Sequence, residues 1–133
     1  GAALALNSMG KVERTYLSDA FVFNPKDGWK KLPPMPRPCT AAPSPAIFNK
    51  GSIQLFSGDD GKLVNFEPKQ SHPGFPKSSL VYDPKSNSWA KELPFHLSRA
   101  TVPLTSWQGL NVLASGEVRP GIRTPDVWAM RQR

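Results

Sequence analysis

The residues best suited to do chemistry form one short stretch, in which a carboxylate and two guanidiniums flank a Pro-Gly pair. Glu117 lies two positions before Arg119 and six before Arg123. Pro120-Gly121 suits a type II turn, because proline presets φ and glycine accepts the positive φ at the next position. A stiff turn holds charged side chains in place, so the stretch can present a base and two cations to one ligand. The alternative is an ordinary solvated loop between two strands.

The elements that must position these side chains are strands. The chain has 133 residues, with 15 prolines and 10 glycines, and this length suffices for one domain with a core. No apolar-periodic segment reaches helical length without a break at Pro, Gly or an Asn-Gly-type pair. Short apolar runs rich in Trp, Phe, Val and Leu, separated by turn residues, are typical of an all-β protein.

Charge and cysteine content exclude several functional classes. The net charge is +7, but the lysines are scattered singly apart from Lys30-Lys31, whereas nucleic-acid-binding surfaces cluster basic residues and interleave aromatics. We therefore expect no nucleic-acid partner. The positive charge is still compatible with a small anionic ligand. The single Cys39 rules out an internal disulfide and is expected to pack as a small hydrophobe. No apolar run is long enough to span a membrane, and apolar residues 1–6 lack the basic region of a signal peptide.

The sequence repeats itself with an offset of about 60 residues, a period typical of propellers. Residues 79–85 repeat residues 20–26, and Trp89 and Trp29 follow at matching positions. In the same way, Ser-Gly-Glu at 115–117 takes the place of Ser-Gly-Asp at 57–59. Four strands in each unit predict the blades of a β-propeller, which must stack on neighbouring blades to bury their faces.

The repeat indicates that the chain contains one full blade and parts of two others, which together amount to about two blades. We expect residues 1–38 to end one blade, residues 39–98 to form one full four-stranded antiparallel blade, and residues 99–133 to begin the next. Residues 1–18 are expected to hold the tail of a strand and a long loop. Both ends look like cuts. The exposed strand edges should then pair with remaining blades of a longer or cleaved chain, or with copies of this chain that complete the ring.

Two motifs resemble known families. Residues 81–89, followed by Leu93-Pro94, resemble the kelch repeat. Kelch units usually end their second strand with Gly-Gly, and here those positions read Gly-Asp at 58–59 and Gly-Glu at 116–117. Ser-Gly-Glu at 115–117, followed by Arg-Pro-Gly-Ile-Arg-Thr at 119–124, is similar to the signature of the N-acetylneuraminate epimerases. These are the sialate mutarotases, which include the cyclically permuted mutarotases.

The second resemblance implies an activity. It indicates a six-bladed propeller, an isomerase of carbohydrate metabolism, that interconverts the anomers of N-acetylneuraminic acid by acid/base opening and closing of the ring. The implied substrate is an anionic sugar. No cluster of His, Cys and carboxylates has metal-ligand spacing, and no cofactor is expected. The resemblance is compatible with a periplasmic or secreted location.

The same resemblance assigns roles to site residues. Glu117 corresponds to the family's proposed proton acceptor, and Arg123 corresponds to an arginine that would bind the substrate carboxylate through two hydrogen bonds. Arg119 would make the electrostatic potential around the substrate more positive. Blade strands run a to d from the central channel outward, so Arg37 and Arg99, before strand a, should share the face of these residues. The alternatives are an ion pair of Glu117 with Arg119 or Arg123, and a packing role for the other arginines.

Other candidates are weaker, and another function stays open. His96 could reach the site as an acid, His72 is expected to be solvated, and the loop 59–77 could act as a lid. The general acid is not identified. The alternative function is a non-catalytic kelch module that binds a protein, and the Gly-Glu motif favours the enzyme. If the other blades are truly absent, the chain is expected to be inactive.

Overall fold

The computed structural model describes residues 1–131, and residues 132 and 133, which the third blade assignment includes, lie outside the described residues. The described part contains fourteen strands and one 3₁₀ turn at Lys69–Ser71, which confirms the all-β prediction. No helix in this part is long and apolar enough to cross a membrane. The strands are β1 Ala2–Leu6, β2 Val12–Tyr16, β3 Phe21–Asn24, β4 Gly28–Lys31, β5 Ile47–Asn49, β6 Ser52–Phe56, β7 Ser78–Asp83, β8 Ser88–Trp89, β9 Leu93–Pro94, β10 Leu104–Trp107, β11 Leu110–Ala114, β12 Glu117–Arg119, β13 Ile122–Arg123 and β14 Val127–Arg131.

The described strands form five antiparallel sheets, of which two are the separate hairpins β1-β2 and β12-β13 and three have the arrangement of propeller blades. The middle sheet has the order β5-β6-β7-β8, and β9 also pairs with β7, so its fourth strand position is filled by two short pieces. The last sheet, β10-β11-β14, supplies the first three strand positions. The first sheet, β3-β4, supplies the last two. Material for about two blades is therefore present, as the repeat predicts.

Backbone conformation repeats along with the sheets. The turns Lys50-Gly51 and Gln108-Gly109 each join two strands through two residues, and all four residues have φ between 48° and 83°. This pair of positive φ values defines the type I′ turn, whose twist matches that of the flanking strands. Each turn fixes the register of the first two strands of its blade, and therefore where the second strand ends.

One part of the chain differs from the sequence prediction. Val12–Tyr16 is not a loop but a strand, paired with Ala2–Leu6 from Leu6↔Val12 to Ala2↔Tyr16. The turn is closed by Asn7, whose side-chain oxygen accepts the N–H groups of Met9 and Lys11 at 3.0 and 2.9 Å. The pattern missed this strand because its residues are mostly polar and none is buried. The β1-β2 hairpin precedes the third strand of its blade, as the β12-β13 hairpin does in the last blade.

The hydrophobic core lies between the middle and last sheets. It is formed by seven buried side chains with Met130 packed against them: Ile47, Phe56, Phe95, Leu97, Val102, Leu104 and Leu113. By contrast, no residue of β1 to β4 is buried. Polar links join this first part to the middle blade, including Trp89 Nε1, which donates to the Pro33 carbonyl at 2.9 Å. The last two sheets consequently hold the Glu117 stretch on the better-packed side of the structure.

Candidate functional site

Backbone contacts fix Glu117 at the start of β12. Its N–H donates to the Ala100 carbonyl and its own carbonyl accepts the Ala100 N–H, both at 2.9 Å. Gly116 has a φ of 96°, and a Cβ there would lie 2.7 Å from Cβ of Val102. Only glycine fits this close approach without a shift. The Gly-Glu motif therefore places a carboxylate against the connection that enters the last blade.

Glu117 and Arg123 lie opposite each other in the β12-β13 hairpin. Nη2 of Arg123 is 3.6 Å from Oε1 of Glu117, and the two side chains are 57% and 24% exposed. The two-residue turn between them has Gly121 at a φ of 74°, as the third position of a type II turn requires. The structure thus contains the Glu117–Arg123 ion pair that the sequence left open as an alternative, and the Arg123 side chain in it is largely open to solvent.

A cavity of about 390 Å³ adjoins the turn of this hairpin. Pro120-Gly121 lines it together with Arg14, Tyr16, Asp59, Leu63, Val64, Lys69 and His72. Its walls come from all three blades. The lining includes the cations Arg14 and Lys69 and the carboxylate Asp59, so the Pro-Gly turn borders a cavity with charges of both signs.

Asp59 occupies the position in the middle blade that Glu117 occupies in the last. The bridges Thr40↔Asp59 and Ala100↔Glu117 are equivalent, and a Ser-Gly pair with positive φ precedes each carboxylate. Asp59 Oδ2 accepts the Tyr16 hydroxyl at 3.0 Å. Burial raises the pKa of Tyr16, Arg14 opposes the rise and Asp59 adds to it. The sequence pattern pointed to Asp59 through the repeat, but nothing in it pointed to Tyr16.

Arg37 does not lie free at the site, because all five of its N–H donors are used within the protein. Nε donates to Oε1 of Glu92 at 2.6 Å, Nη1 donates to the carbonyls of Pro38 and Ser57, and Nη2 donates to the carbonyl and hydroxyl of Ser78. The side chain is 5% exposed. The interactions are those of a structural residue, which is the packing role that the sequence left open.

Arg37 and Arg99, which the sequence places before the first strand of consecutive blades, do not hold matching positions. The bridges that involve Thr40 and Ala100 are equivalent, so the residue before each, Cys39 or Arg99, holds the matching position. Cys39 is buried, and its thiol donates to the Ser57 carbonyl at 3.2 Å. Burial raises the pKa of this thiol although Arg37 opposes the rise. Two arginines that look alike in sequence therefore take different places in consecutive blades.

Arg99 and Arg119 lie together in a cleft between the middle and last blades. Arg99 is 5% exposed, donates from Nη1 to the Ser98 carbonyl at 2.9 Å and lies 3.8 Å from Asp126 Oδ2. Glu117 and Arg123 are not among the residues that line this cleft. The structure therefore separates the four remaining predicted site residues into the pair Glu117–Arg123 and the pair Arg99–Arg119.

The histidines also differ from the prediction in part. His96 is exposed, as expected, but His72 is buried, because the loop around the 3₁₀ turn folds over it. Its Nδ1 accepts the Gly74 N–H at 3.0 Å, and its ring lies 5.3 Å from that of Phe66. Within residues 1–131, no group of three or more His, Cys, Asp or Glu side chains is placed to hold a metal ion.

Comparison with known proteins gives a consistent resemblance. No protein-family model matches the chain. It is 28% identical to N-acetylneuraminate epimerase of Haemophilus influenzae (strain 86-028NP) and 27% identical to that of Brucella melitensis biotype 1, over 87% and 86% of its own length. It spans 37% of the length of each of these relatives. A 41% identical match to the Yersinia enterocolitica N-acetylneuraminate epimerase covers 37% of the chain.

The fold comparison agrees. The solved structure of YjhT superimposes with a TM-score of 0.70 at 20% sequence identity, over 98% of this chain and 45% of that chain. This likeness shows the β-propeller fold. The chain thus resembles the N-acetylneuraminate epimerases in sequence over most of its length.

Proposed function

We propose that this chain is part of a mutarotase-like propeller that interconverts the anomers of N-acetylneuraminic acid. The observation that carries the proposal is the pair formed by Glu117 and Arg123, which lie 3.6 Å apart and face each other across one hairpin. The names of the relatives support the substrate. The pair stands within the stretch that resembles the signature of those proteins.

The chemistry follows from the position of the sugar's own carboxylate, which is bonded to the anomeric carbon. Arg123 Nη2 is open to solvent beside Glu117, so a substrate carboxylate bound there would place the anomeric hydroxyl next to Glu117. The Glu117 carboxylate takes the hydroxyl proton as general base. The bond from the anomeric carbon to the ring oxygen then breaks, the ring oxygen takes up a proton, and reclosure on the other face of the keto group gives the other anomer.

In this proposal Arg37 supports the fold, and Arg99 and Arg119, which line a neighbouring cleft, take no part in the exchange of anomers. The proton delivered to the ring oxygen comes from a group outside the Glu117–Arg123 pair. Tyr16 is a candidate, since it lines the same cavity as the Pro120-Gly121 turn, although it would have to release its hydrogen bond to Asp59.

We further propose that residues 1–38, 39–98 and 99–133 are the end of one blade, a full blade and the start of a third. The remaining blades come from a longer or cleaved chain, or from copies of this chain. Two equivalent tryptophans support this. Trp89 donates to Pro33 of the preceding blade, whereas Trp29, in the same ring geometry against Phe23, is 72% exposed. A further blade would cover Trp29. Multi-angle light scattering that finds only monomer in dilute solution would contradict closure by copies.

The test of the activity is exchange between the two anomers of N-acetylneuraminate, followed by NMR in the intact protein or complex that contains this chain. Glu117→Gln keeps the shape of the side chain but removes the base, and we expect the exchange rate to fall by about 10²–10⁴-fold. Asp126→Asn makes the same chemical change outside the pair and should leave exchange within about two-fold, as surface changes usually do. Unchanged exchange in Glu117→Gln would refute the assigned base. If the unsubstituted protein itself does not accelerate exchange, the protein-binding kelch module becomes the better explanation.

A further inference from the structure

The cleft between the middle and last blades has the properties of a separate ligand site. Its volume is about 310 Å³, which lies at the small end of the range of ligand pockets. His72, Leu97, Ser98 and Arg99 are its buried residues. Around them stand exposed side chains at the rim: Lys77, His96, Asp126 and Trp128.

Two guanidinium donors in this cleft have no partner. Nε of Arg99 and Nε of Arg119 are buried and form no hydrogen bond within the described residues. A buried donor without an acceptor loses its water and gains nothing in return, which costs free energy. Both donors belong to residues that line the same cleft. An acceptor group on a bound ligand would satisfy both donors and remove this free-energy cost.

The other groups in the cleft favour the same kind of ligand. His72 uses Nδ1 to accept the Gly74 N–H, so its neutral ring carries the proton on Nε2 and is a donor there. Lys77 adds a cation at the rim. Asp126 is the single carboxylate among the lining residues, and its Oδ2 is 3.8 Å from Nη2 of Arg99, beyond hydrogen-bond distance.

We infer that this cleft binds a small oxyanion, a carboxylate or phosphate group, between the guanidiniums of Arg99 and Arg119. One oxygen accepts from Nε of each arginine, and the planar guanidiniums match the geometry of an oxyanion. The ring of Trp128, in edge contact with His96 at 5.5 Å between centroids, borders the opening and can cover an apolar part of the ligand. All residues of this site belong to the middle and last blades. The site is separate from that of the proposed reaction, because Glu117 and Arg123 lie outside the cleft.

The experiment is isothermal titration of the protein with sodium phosphate, and separately with sodium acetate, against sodium chloride at the same ionic strength. We expect saturable binding at one site per chain for at least one of the two oxyanions. The anion that binds identifies the ligand as phosphate-like or carboxylate-like. Arg119→Gln should weaken binding at least about ten-fold, because one charge-assisted hydrogen bond is lost. Arg131→Gln removes the same charge from an exposed side chain outside the cleft and should change the dissociation constant less than about two-fold.

A second variant keeps the proposal testable if Arg119→Gln does not fold. Asp126→Asn removes the carboxylate that competes for Arg99, and its exposed side chain makes a folding defect unexpected. It should tighten oxyanion binding about three-fold or more, since a nearby negative charge is lost. Absence of saturable binding, equal weakening in Arg119→Gln and Arg131→Gln, or no effect of Asp126→Asn would each overturn the proposal. These results are independent of whether the protein exchanges anomers.

Discussion

Replacing Arg37 with methionine tests whether this arginine serves the fold or a ligand. Methionine retains an unbranched, flexible stem of similar reach but carries no donor. The change deletes the ion pair with Glu92 and the hydrogen bonds to Pro38, Ser57 and Ser78. These partners come from three separate parts of the chain, so the side chain ties the entry of the middle blade to its second and third strands.

The size of the effect follows from burial. Removing one partner of a buried ion pair costs about 3–5 kcal/mol, because the other charge and the carbonyls are left without a partner. Arg37 is 5% exposed but Glu92 is 39% exposed, so the freed carboxylate can regain water. We therefore expect a loss of about 3 kcal/mol, at the lower end of that range.

Urea unfolding followed by circular dichroism measures this loss. For a slope of about 2 kcal/mol per molar urea, the midpoint should fall by about 1.5 M. The matched control is Arg123→Met, which removes the same group from a side chain that is 57% exposed and should cost less than about 0.5 kcal/mol. Equal and small losses in both variants would refute the structural role of Arg37. A loss of sugar binding by Arg37→Met without a loss of stability would restore the original prediction.

The same ion pair predicts a pH dependence. Desolvation raises the pKa of Glu92, but hydrogen bonds from Ser78 and Arg37 outweigh it and hold the pKa below its ordinary value. The folded state therefore binds this proton less readily than the unfolded state. The contribution is fully present above the unfolded pKa of about 4.3 and is lost as pH falls through the lower folded pKa. Urea midpoints measured between pH 6 and pH 3 should fall less steeply in Glu92→Gln, and parallel curves would contradict this.

Two further substitutions, each with a matched control variant, test the repeat. Trp89→Phe removes the hydrogen bond to Pro33 and should cost about 0.5–1.5 kcal/mol in urea unfolding, whereas Trp29→Phe, at an exposed equivalent position, should cost less than about 0.5 kcal/mol; equal costs would contradict the inter-blade role of the hydrogen bond. Gly116→Ala places a Cβ 2.7 Å from a neighbouring side chain at a φ of 96° and should cost about 2 kcal/mol or more. Gly109→Ala meets open space at a φ of 74° and should cost about 1 kcal/mol, so a smaller loss at Gly116 than at Gly109 would be evidence against the close approach.

The sequence was most informative where every blade must solve the same packing problem. Trp29 and Trp89 could be matched in advance because each packs across its hairpin on an aromatic ring, Phe23 or Tyr82, with centroids 5.1 Å apart in both. Such cross-strand pairs are local, so their spacing is visible in the chain. The all-β class, the order of strands and the Pro-Gly turn follow from signals of the same local kind.

Contacts between distant parts of the chain were not predictable in this way. Arg37 meets Glu92 at a separation of 55 residues, and no spacing rule distinguishes it from an arginine at the start of the next blade. His72 lies in a polar loop, which suggests solvent, yet it is buried by the fold of that loop. The strand β2 has too few apolar residues for a strand pattern. In each case the outcome depends on tertiary packing rather than on local propensity.

The equivalence of Asp59 and Glu117 shows how one fold position can support two tasks. In both blades a Ser-Gly pair with positive φ ends the second strand and a backbone bridge fixes the next residue, so the carboxylate's place is set by the repeat. Its surroundings are set by the connection that follows. Asp59 accepts the Tyr16 hydroxyl of the preceding blade, which joins the two blades. It also accepts the Gly61 N–H at 2.9 Å, which closes its own loop. Glu117 has Arg123 in its own hairpin and no such tie to a neighbouring blade among the hydrogen bonds of its side chain within residues 1–131. Because that carboxylate is fixed in place without such a tie, we propose it, rather than Asp59, as the group that exchanges a proton with a ligand.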